Sequence, residues 1–106
     1  MYLTEKIDFD FILVGGGLQA CLLVLAIQHR QPNATILVLE RNKSLAGNHT
    51  WSFHLHDIPS ESEAWLRDVP RYCWSEYRVC FPGFESDIPL AYASTTSATL
   101  AQVIEN

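Results

Sequence analysis

The sequence predicts an α/β fold that begins with a strand–helix–strand unit. Residues 9–14 form a short apolar run of strand-forming side chains, and the glycines at 15–17 end it. Residues 18–30 are apolar on most sides, as expected of a helix packed against a sheet. Residues 35–40 form a second apolar run, which is typical of a parallel strand covered on both faces.

Two later stretches are predicted to be loops and one to be a strand. Residues 48–56 are aromatic, polar and rich in histidine, which favours a loop, and residues 82–89 are also predicted to be a loop. Residues 77–81 alternate in polarity, and this alternation predicts a short strand.

Two further helices are predicted in the second half of the chain. Residues 60–67 are predicted to form a short helix, in which Ser60 and Glu63 have the spacing of a capping box. Residues 97–105 are predicted to form a longer helix. Its apolar face is formed by Leu100, Val103 and Ile104.

Composition limits the classes to which the protein can belong. The chain has 106 residues and a net charge of −5, and its few basic residues are scattered, which argues against a nucleic-acid partner. The three cysteines, Cys21, Cys73 and Cys80, include no CxxC pair, so neither a disulfide scaffold nor a zinc site is expected. A chain of this size holds at most one domain and is only marginally stable alone, so we expect it to be a piece of a longer protein.

The sequence shows no pattern of a signal peptide or of a membrane span. The apolar run at residues 11–14 is too short for a signal peptide, and residues 18–27 fall well short of the ~20 residues that cross a bilayer. We therefore expect a cytoplasmic protein, which can still dock on a membrane surface.

The first strand and helix are joined by a pattern that binds dinucleotides. Residues 15–20 read Gly-Gly-Gly-Leu-Gln-Ala and fit G-x-G-x-x-A. Gly15 permits a tight turn, Gly17 lets a pyrophosphate approach the backbone, and Ala20 lets helix and strand pack closely. The helix that starts near Leu18 would direct free N–H groups at the phosphates, with the backbone of Gly16 beside them. The alternative is a glycine-rich turn that only connects the two elements.

Glu40 supports the dinucleotide interpretation and narrows the choice of ligand. It ends the second predicted strand about 25 residues after Gly15, near the spacing of the acid that accepts ribose hydroxyls. A carboxylate there would repel the 2′-phosphate of NADP, so NAD and FAD remain.

Resemblance to known flavoproteins favours FAD. The segment 38–41, Val-Leu-Glu-Arg, followed by Ala46-Gly47, resembles the opening of FAD-containing oxidoreductases of the glutathione reductase structural class. In that class an acid, often followed by a basic residue, precedes a Gly-Gly pair, so Glu40 and Arg41 are expected beside the cofactor. The resemblance implies a Rossmann-like βαβ FAD-binding unit, incomplete in this chain, over residues 1–106.

A more specific resemblance is to the bacterial lycopene β-cyclases. It is carried by residues 47–54, Gly-Asn-His-Thr-Trp-Ser-Phe-His, together with the glycine loop. Similar segments follow in order at residues 74–82 and 92–103. Where that family commonly has a basic stretch after Phe-Pro, this chain has Gly-Phe-Glu-Ser-Asp at residues 83–87, so contact of a basic stretch with an anion or a membrane surface is not expected there.

The lycopene cyclase resemblance implies a function. Such enzymes close the linear ends of lycopene into β-ionone rings, need FAD kept reduced by NAD(P)H, and are expected at the membrane periphery. In the FAD-binding fold class that the resemblance implies, the loop after the second strand passes near the cofactor, so Asn48, His49 and Thr50 are expected to approach FAD. The family's catalytic carboxylate lies in a motif that this sequence does not contain, so no catalytic residue is assigned. The histidine spacing matches no common zinc pattern, so no metal is expected.

Two alternatives stay open at this point. The chain could belong to another FAD-dependent oxidoreductase that shares only the nucleotide unit, or it could be a non-catalytic nucleotide-binding module. We expect residues 1–106 alone neither to cyclise lycopene nor to hold FAD tightly. The apolar strand face of Phe11, Leu13, Ile36 and Val38 is expected to stay exposed in such a fragment.

Overall fold

A computed structural model describes residues 6 and 8–105, and these residues form a mixed α/β structure. The predicted domain limits, residues 1 and 106, lie outside the described residues. The described strands form three small sheets, with strand orders β1-β2, β3-β7-β4 and β5-β6 in the numbering introduced below.

The predicted strand–helix–strand unit is confirmed. Strand β1 (Phe11–Val14) and strand β2 (Ile36–Leu39) are parallel, and helix α1 (Leu18–Arg30) connects them within the predicted bounds. Both strands are shorter than predicted. The Asp10 carboxylate accepts the N–H of Thr35 at 2.8 Å, and the Thr35 carbonyl accepts the N–H of Asp10 at 3.0 Å, so side-chain and backbone bonds together join the two segments where the unit begins.

Residues 48–56 are not a loop as predicted. Strand β3 (Thr50–His54) lies in a three-stranded antiparallel sheet and pairs with β7 (Tyr92–Thr96). Strand β4 (Tyr72–Trp74) pairs with the other edge of β7. The partner strand of β3 lies about 40 residues away in sequence, so local polarity did not reveal the pairing.

The prediction of a loop over residues 82–89 is also wrong. Strand β5 (Tyr77–Phe81) is confirmed, and it forms an antiparallel hairpin with β6 (Phe84–Ile88). Only Pro82 and Gly83 remain in the turn. The acidic side chains of β6 are exposed, whereas Ser86 and Ile88 are half-buried, so the strand is formed by pairing with β5 even though its sequence is rich in polar residues.

The predicted helix over residues 60–67 is split. Residues Ser60–Ser62 form a 3₁₀ turn and helix α2 (Glu63–Leu66) follows, and neither has a side-chain cap, so the predicted capping box is wrong. The Glu63 carboxylate instead accepts two bonds from Arg71, at 3.0 and 3.4 Å. The ion pair with Arg71 therefore takes the carboxylate that a capping box needs.

Helix α3 (Ser97–Glu105) matches its prediction and helps to form the core. The buried residues Cys21, Ala46, Val69 and Leu100 form one cluster, in which side chains of α1 and α3 meet. Six partly buried side chains surround this cluster: Leu18, Leu25, Leu45, Trp51, Val103 and Ile104. The core thus lies between the two long helices rather than between the sheets.

The apolar surface of the parallel pair differs from the expectation. Phe11, Leu13, Ile36 and Val38 are partly buried, whereas Ile12, Val14 and Leu39 are 57%, 85% and 49% exposed. Successive strand side chains point to opposite faces, and Ile12, Val14 and Leu39 lie on the face that the described chain leaves largely uncovered. Among the helices of the described chain, none is both long and apolar enough to cross a membrane.

Replacing Leu100 with Ala should destabilise the protein by about 2–5 kcal/mol, because the side chain is 1% exposed at the centre of the core. The matched control Leu23→Ala changes a residue of α1 that is 44% exposed, and it should lower the free energy of unfolding by less than about 1 kcal/mol. Urea unfolding monitored by circular dichroism measures both. Equal losses in the two variants would contradict the assignment of this core.

Candidate functional site

The glycine loop forms the turn between β1 and α1. Gly15 has φ of +90°, a conformation that side chains disfavour, and its N–H donates to the carbonyl of Leu39 at 2.7 Å. This bond extends the parallel pair by one residue beyond β1. The loop therefore lies at the carboxyl edge of the two strands, where ligands of open α/β sheets bind.

Gly16 is the most tightly surrounded glycine of the loop. Its N–H donates to the Glu40 carboxylate at 2.7 Å, and its carbonyl accepts the N–H of Ala46 at 2.6 Å. A Cβ at this position would lie 2.5 Å from the Leu45 side chain and 3.1 Å from the Glu40 carboxylate. Glycine at position 16 is thus required by the fold itself.

Glu40 is held by the backbone on both of its carboxylate oxygens. One oxygen accepts the N–H of Gly16 and the other accepts the N–H of Asn42 at 3.2 Å. These hydrogen bonds, first of all that from Gly16, lower the pKa of the Glu40 carboxyl from its ordinary value of 4.5. A charged acceptor is therefore held at the end of β2, beside the glycine loop.

Gly17, unlike Gly16, has no internal reason to be glycine. Its backbone is extended, with φ of −80°, and a Cβ there would meet no atom within 4 Å. It caps α1, whose first intrahelical bond is from the N–H of Cys21 to the carbonyl of Gly17, so the amides of residues 18–20 precede the helical ladder. An open glycine next to unpaired helix amides fits a phosphate that approaches the backbone.

The Ala46-Gly47 pair adopts a conformation that favours glycine at both positions. Ala46 and Gly47 have φ of +69° and +68°. Ala46 is 2% exposed, so its methyl group packs in the core while its backbone stays in the left-handed region. The Gly-Gly pair expected from the flavoprotein resemblance thus corresponds to a real backbone requirement, which this chain meets with one alanine.

Ser97 fixes the position of His49, a contact that the sequence analysis missed. The N–H of His49 donates to the Ser97 hydroxyl at 2.5 Å, and the His49 carbonyl accepts the N–H of Ser97 at 2.9 Å. Ser97 is 4% exposed and begins α3, which Thr96 caps by accepting the N–H of Thr99 at 3.3 Å. No local signal could have indicated this contact, because 48 residues separate the two partners.

A small cavity of about 280 Å³ brings several predicted site residues together. Gly16, Gly17, Leu18, Glu40 and His49 all line it. The other residues in its wall are Asn42, Ala46, Gly47 and Trp51. The His49 and Trp51 rings are 5.8 Å apart on one side of this cavity.

The remaining predicted site residues lie around this cavity rather than in its wall. Gly15 and Ala20 line an adjoining groove along the start of α1, and Arg41 is exposed beside Glu40 in a third hollow. Asn48 is exposed, and Thr50 lines an apolar groove that also contains Phe53 and that shares Leu18 and Trp51 with this cavity. The structure therefore places His49 in the wall of the cavity and Thr50 in the adjoining groove.

The histidines of β3 and the following turn belong to a different group. His54 bonds to the Tyr77 hydroxyl at 2.9 Å and lies 3.7 Å from the Asp57 carboxylate. His56 lies 3.4 Å from the same carboxylate. Within residues 6 and 8–105, no group of three or more His, Cys, Asp or Glu side chains is arranged to hold a metal ion.

Comparison with known proteins identifies similar sequences. A family model described as lycopene cyclase protein matches residues 10–106. A lycopene beta-cyclase of Pseudescherichia vulneris is 37% identical over 95 residues, which are 90% of this chain and 25% of that protein. Lycopene beta-cyclase of Pantoea ananas is 35% identical over 97 residues, which are 92% of this chain and 25% of that protein.

A third relative shows the same coverage. The lycopene beta-cyclase of Paracoccus sp. (strain N81106 / MBIC 01143) is 30% identical over 95 residues, 90% of this chain and 25% of that protein. The chain thus spans about a quarter of the length of the curated relatives it matches.

The lowered pKa of Glu40 predicts an acid-dependent loss of stability. Because the folded-state pKa lies below the unfolded one, the ionised group stabilises the fold above its ordinary value of 4.5, and this contribution disappears as the pH falls through the folded-state pKa. Glu40→Gln should lower stability at neutral pH and flatten this part of the pH profile. The exposed Glu61→Gln, which removes the same charge, should leave the profile unchanged. Denaturant unfolding at several pH values from neutral to below 4.5 measures the free energy of unfolding of each protein. If Glu40→Gln and the parent gave the same dependence on pH, the stabilising interaction of the Glu40 carboxylate would be excluded.

Proposed function

The chain belongs to the lycopene cyclase family, and we propose that it is the N-terminal FAD-binding part of an enzyme that closes the linear ends of lycopene into β-ionone rings. The chain covers a quarter of its relatives, so the activity is that of the longer protein. Within that protein this part would bind the cofactor.

One observation carries the proposal of FAD binding. The Glu40 carboxylate and the glycine loop meet at the carboxyl edge of the parallel pair, joined by the 2.7 Å bond from Gly16. A dinucleotide needs a ribose acceptor and a pyrophosphate cradle side by side, which is how this edge is arranged. We therefore propose a Rossmann-like unit of the glutathione reductase structural class.

Different residues of this edge would bind different parts of the dinucleotide. The open backbone at Gly17 and the first amides of α1 would hold the pyrophosphate, and Glu40 would accept the ribose hydroxyls through lone pairs that Gly16 and Asn42 leave free. Arg41 is exposed at the same edge, and His49 and Trp51 also line the cavity. Asn48 and Thr50 stay predictions from the resemblance.

Bound FAD, kept reduced by NAD(P)H, would supply negative charge close to the carbocation that forms when a proton adds to the polyene end. The described residues contribute binding and orientation, and none of them is assigned as the acid. Glu61 is exposed and Glu63 is paired with Arg71, so neither matches an acid held in an apolar pocket. The hydrocarbon substrate also leads us to propose a cytoplasmic enzyme at the membrane periphery.

The full-length protein should be yellow and release FAD, rather than FMN or NAD, when it is denatured. Chromatography of the released cofactor against the three standards measures this. Release of NAD alone would exclude the flavoprotein proposal. Incubation of the reduced protein with lycopene should then yield ring-closed product, and a different product would favour another FAD-dependent enzyme.

Gly17→Val should abolish FAD binding and change the free energy of unfolding by less than about 1 kcal/mol, because its side chain enters open space. Gly16→Ala is the matched comparison and should lower both FAD binding and stability, since its Cβ meets Leu45 and Glu40. Flavin absorbance per protein and urea unfolding separate the two effects. Full flavin occupancy in Gly17→Val would remove Gly17 from the site.

A further inference from the structure

The hairpin of β5 and β6 has one apolar face and one polar face. Tyr77, Val79, Phe81, Phe84 and Ile88 lie on the apolar face, because Phe81 pairs with Phe84 and Tyr77 with Ile88. Tyr77 is packed on Tyr92 of the neighbouring sheet, with ring centroids 5.3 Å apart. The base of the apolar face is therefore covered by the protein.

The same face is uncovered at the tip. Phe81 and Phe84 are 63% and 56% exposed, and their ring centroids are 6.5 Å apart. All residues from 80 to 85 are exposed. A pair of large aromatic side chains that projects from the described chain costs hydration free energy unless something covers it.

The turn restricts the backbone between the two rings. Proline fixes φ near −65° at position 82, and Gly83 has φ of +76°, which is the combination of a type II turn. A Cβ at Gly83 would meet nothing within 4 Å, so the turn itself projects freely. Little backbone conformational entropy is lost when a turn that is already restricted in this way enters a partner surface.

The charges of the hairpin are kept behind the tip and largely satisfy one another. On the polar face, Arg78 donates to Asp87 at 2.7 and 3.4 Å and lies 3.7 Å from Glu85. Residues 77–88 contain one arginine and two acids, so the hairpin has no spare cation for an anionic partner. The hairpin therefore offers no basic group to an anionic partner, and its exposed tip fits an apolar one.

We propose that Phe81 and Phe84 form a wedge that inserts into the interfacial region of a lipid bilayer. This inference rests on the proposed function, in which a hydrocarbon substrate dissolved in the bilayer must reach the enzyme. The convex tip suits a deformable lipid surface, and the paired charges on the polar face can stay in water. The wedge differs from a basic membrane-binding patch in that it needs no anionic lipid.

Flotation of the full-length protein with phosphatidylcholine vesicles tests the wedge. Replacing both Phe81 and Phe84 with Ser should weaken vesicle binding roughly 100-fold, about tenfold for each ring. The control Tyr72→Ser removes a 72% exposed aromatic ring of β4 and should change binding less than about threefold. Adding phosphatidylserine should not strengthen binding, and a strong increase would overturn the proposal in favour of a basic surface.

A tryptophan at position 84 identifies what covers the tip. The fluorescence spectrum of Phe84→Trp minus that of the parent protein gives the emission of the new indole. Without vesicles this emission should be that of a water-exposed indole. When vesicles are added, its maximum should shift to shorter wavelength, and brominated lipid should quench it. Emission at short wavelength without vesicles would mean that the protein's own chain or a second copy covers the tip. Emission that does not change when vesicles are added would mean that the tip does not insert into the bilayer. Either outcome overturns the wedge.

Flavin occupancy is measured in the same samples. The wedge variants should retain bound FAD, because the hairpin tip lies outside the residues that line the cofactor cavity. Normal FAD content with unchanged vesicle binding would refute the wedge alone. Absence of FAD from the parent protein would refute the proposed function instead.

Discussion

The candidate site depends on the hydrogen bonds of one residue, Gly16. Its N–H binds Glu40 at the end of β2, and its carbonyl accepts the Ala46 N–H and, at 3.7 Å, the thiol of Cys21 in α1. Burial raises the pKa of the Cys21 thiol, which therefore stays protonated and able to donate. A single glycine thus connects β1, α1, β2 and the segment after β2, and no side chain fits in its place.

The bond from Gly16 to Glu40 has consequences for both stability and binding. A carboxylate that accepts two backbone N–H groups cannot rotate freely, so its remaining lone pairs point in set directions. The same bonds favour its charged form. The protein therefore holds an oriented anion beside an open glycine, and this arrangement would reduce the entropy cost of binding the proposed dinucleotide.

The second side of the site depends on α3. Ser97 holds the backbone of His49 from the first turn of that helix, and Leu100 packs on Cys21 and Ala46 one turn later. The segment after β2 consequently lies between two helices that are distant in sequence. This explains why Ala46 tolerates a left-handed backbone, since core packing of its methyl group opposes the strain of the conformation.

The sequence by itself determined the elements whose signal is local. Helices α1 and α3 and strand β5 match their predicted bounds, and the glycine loop follows β1 as expected, because apolar periodicity and glycine stereochemistry act over a few residues. The residues that hold FAD are still predictions. Only the tertiary structure decided that residues 50–54 and 84–88 are strands, that Glu40 bonds to Gly16, and that Ser97 holds His49. Except in the hairpin, these contacts join residues 24–48 positions apart, and such partners are chosen by packing and backbone pairing, which local sequence patterns do not encode.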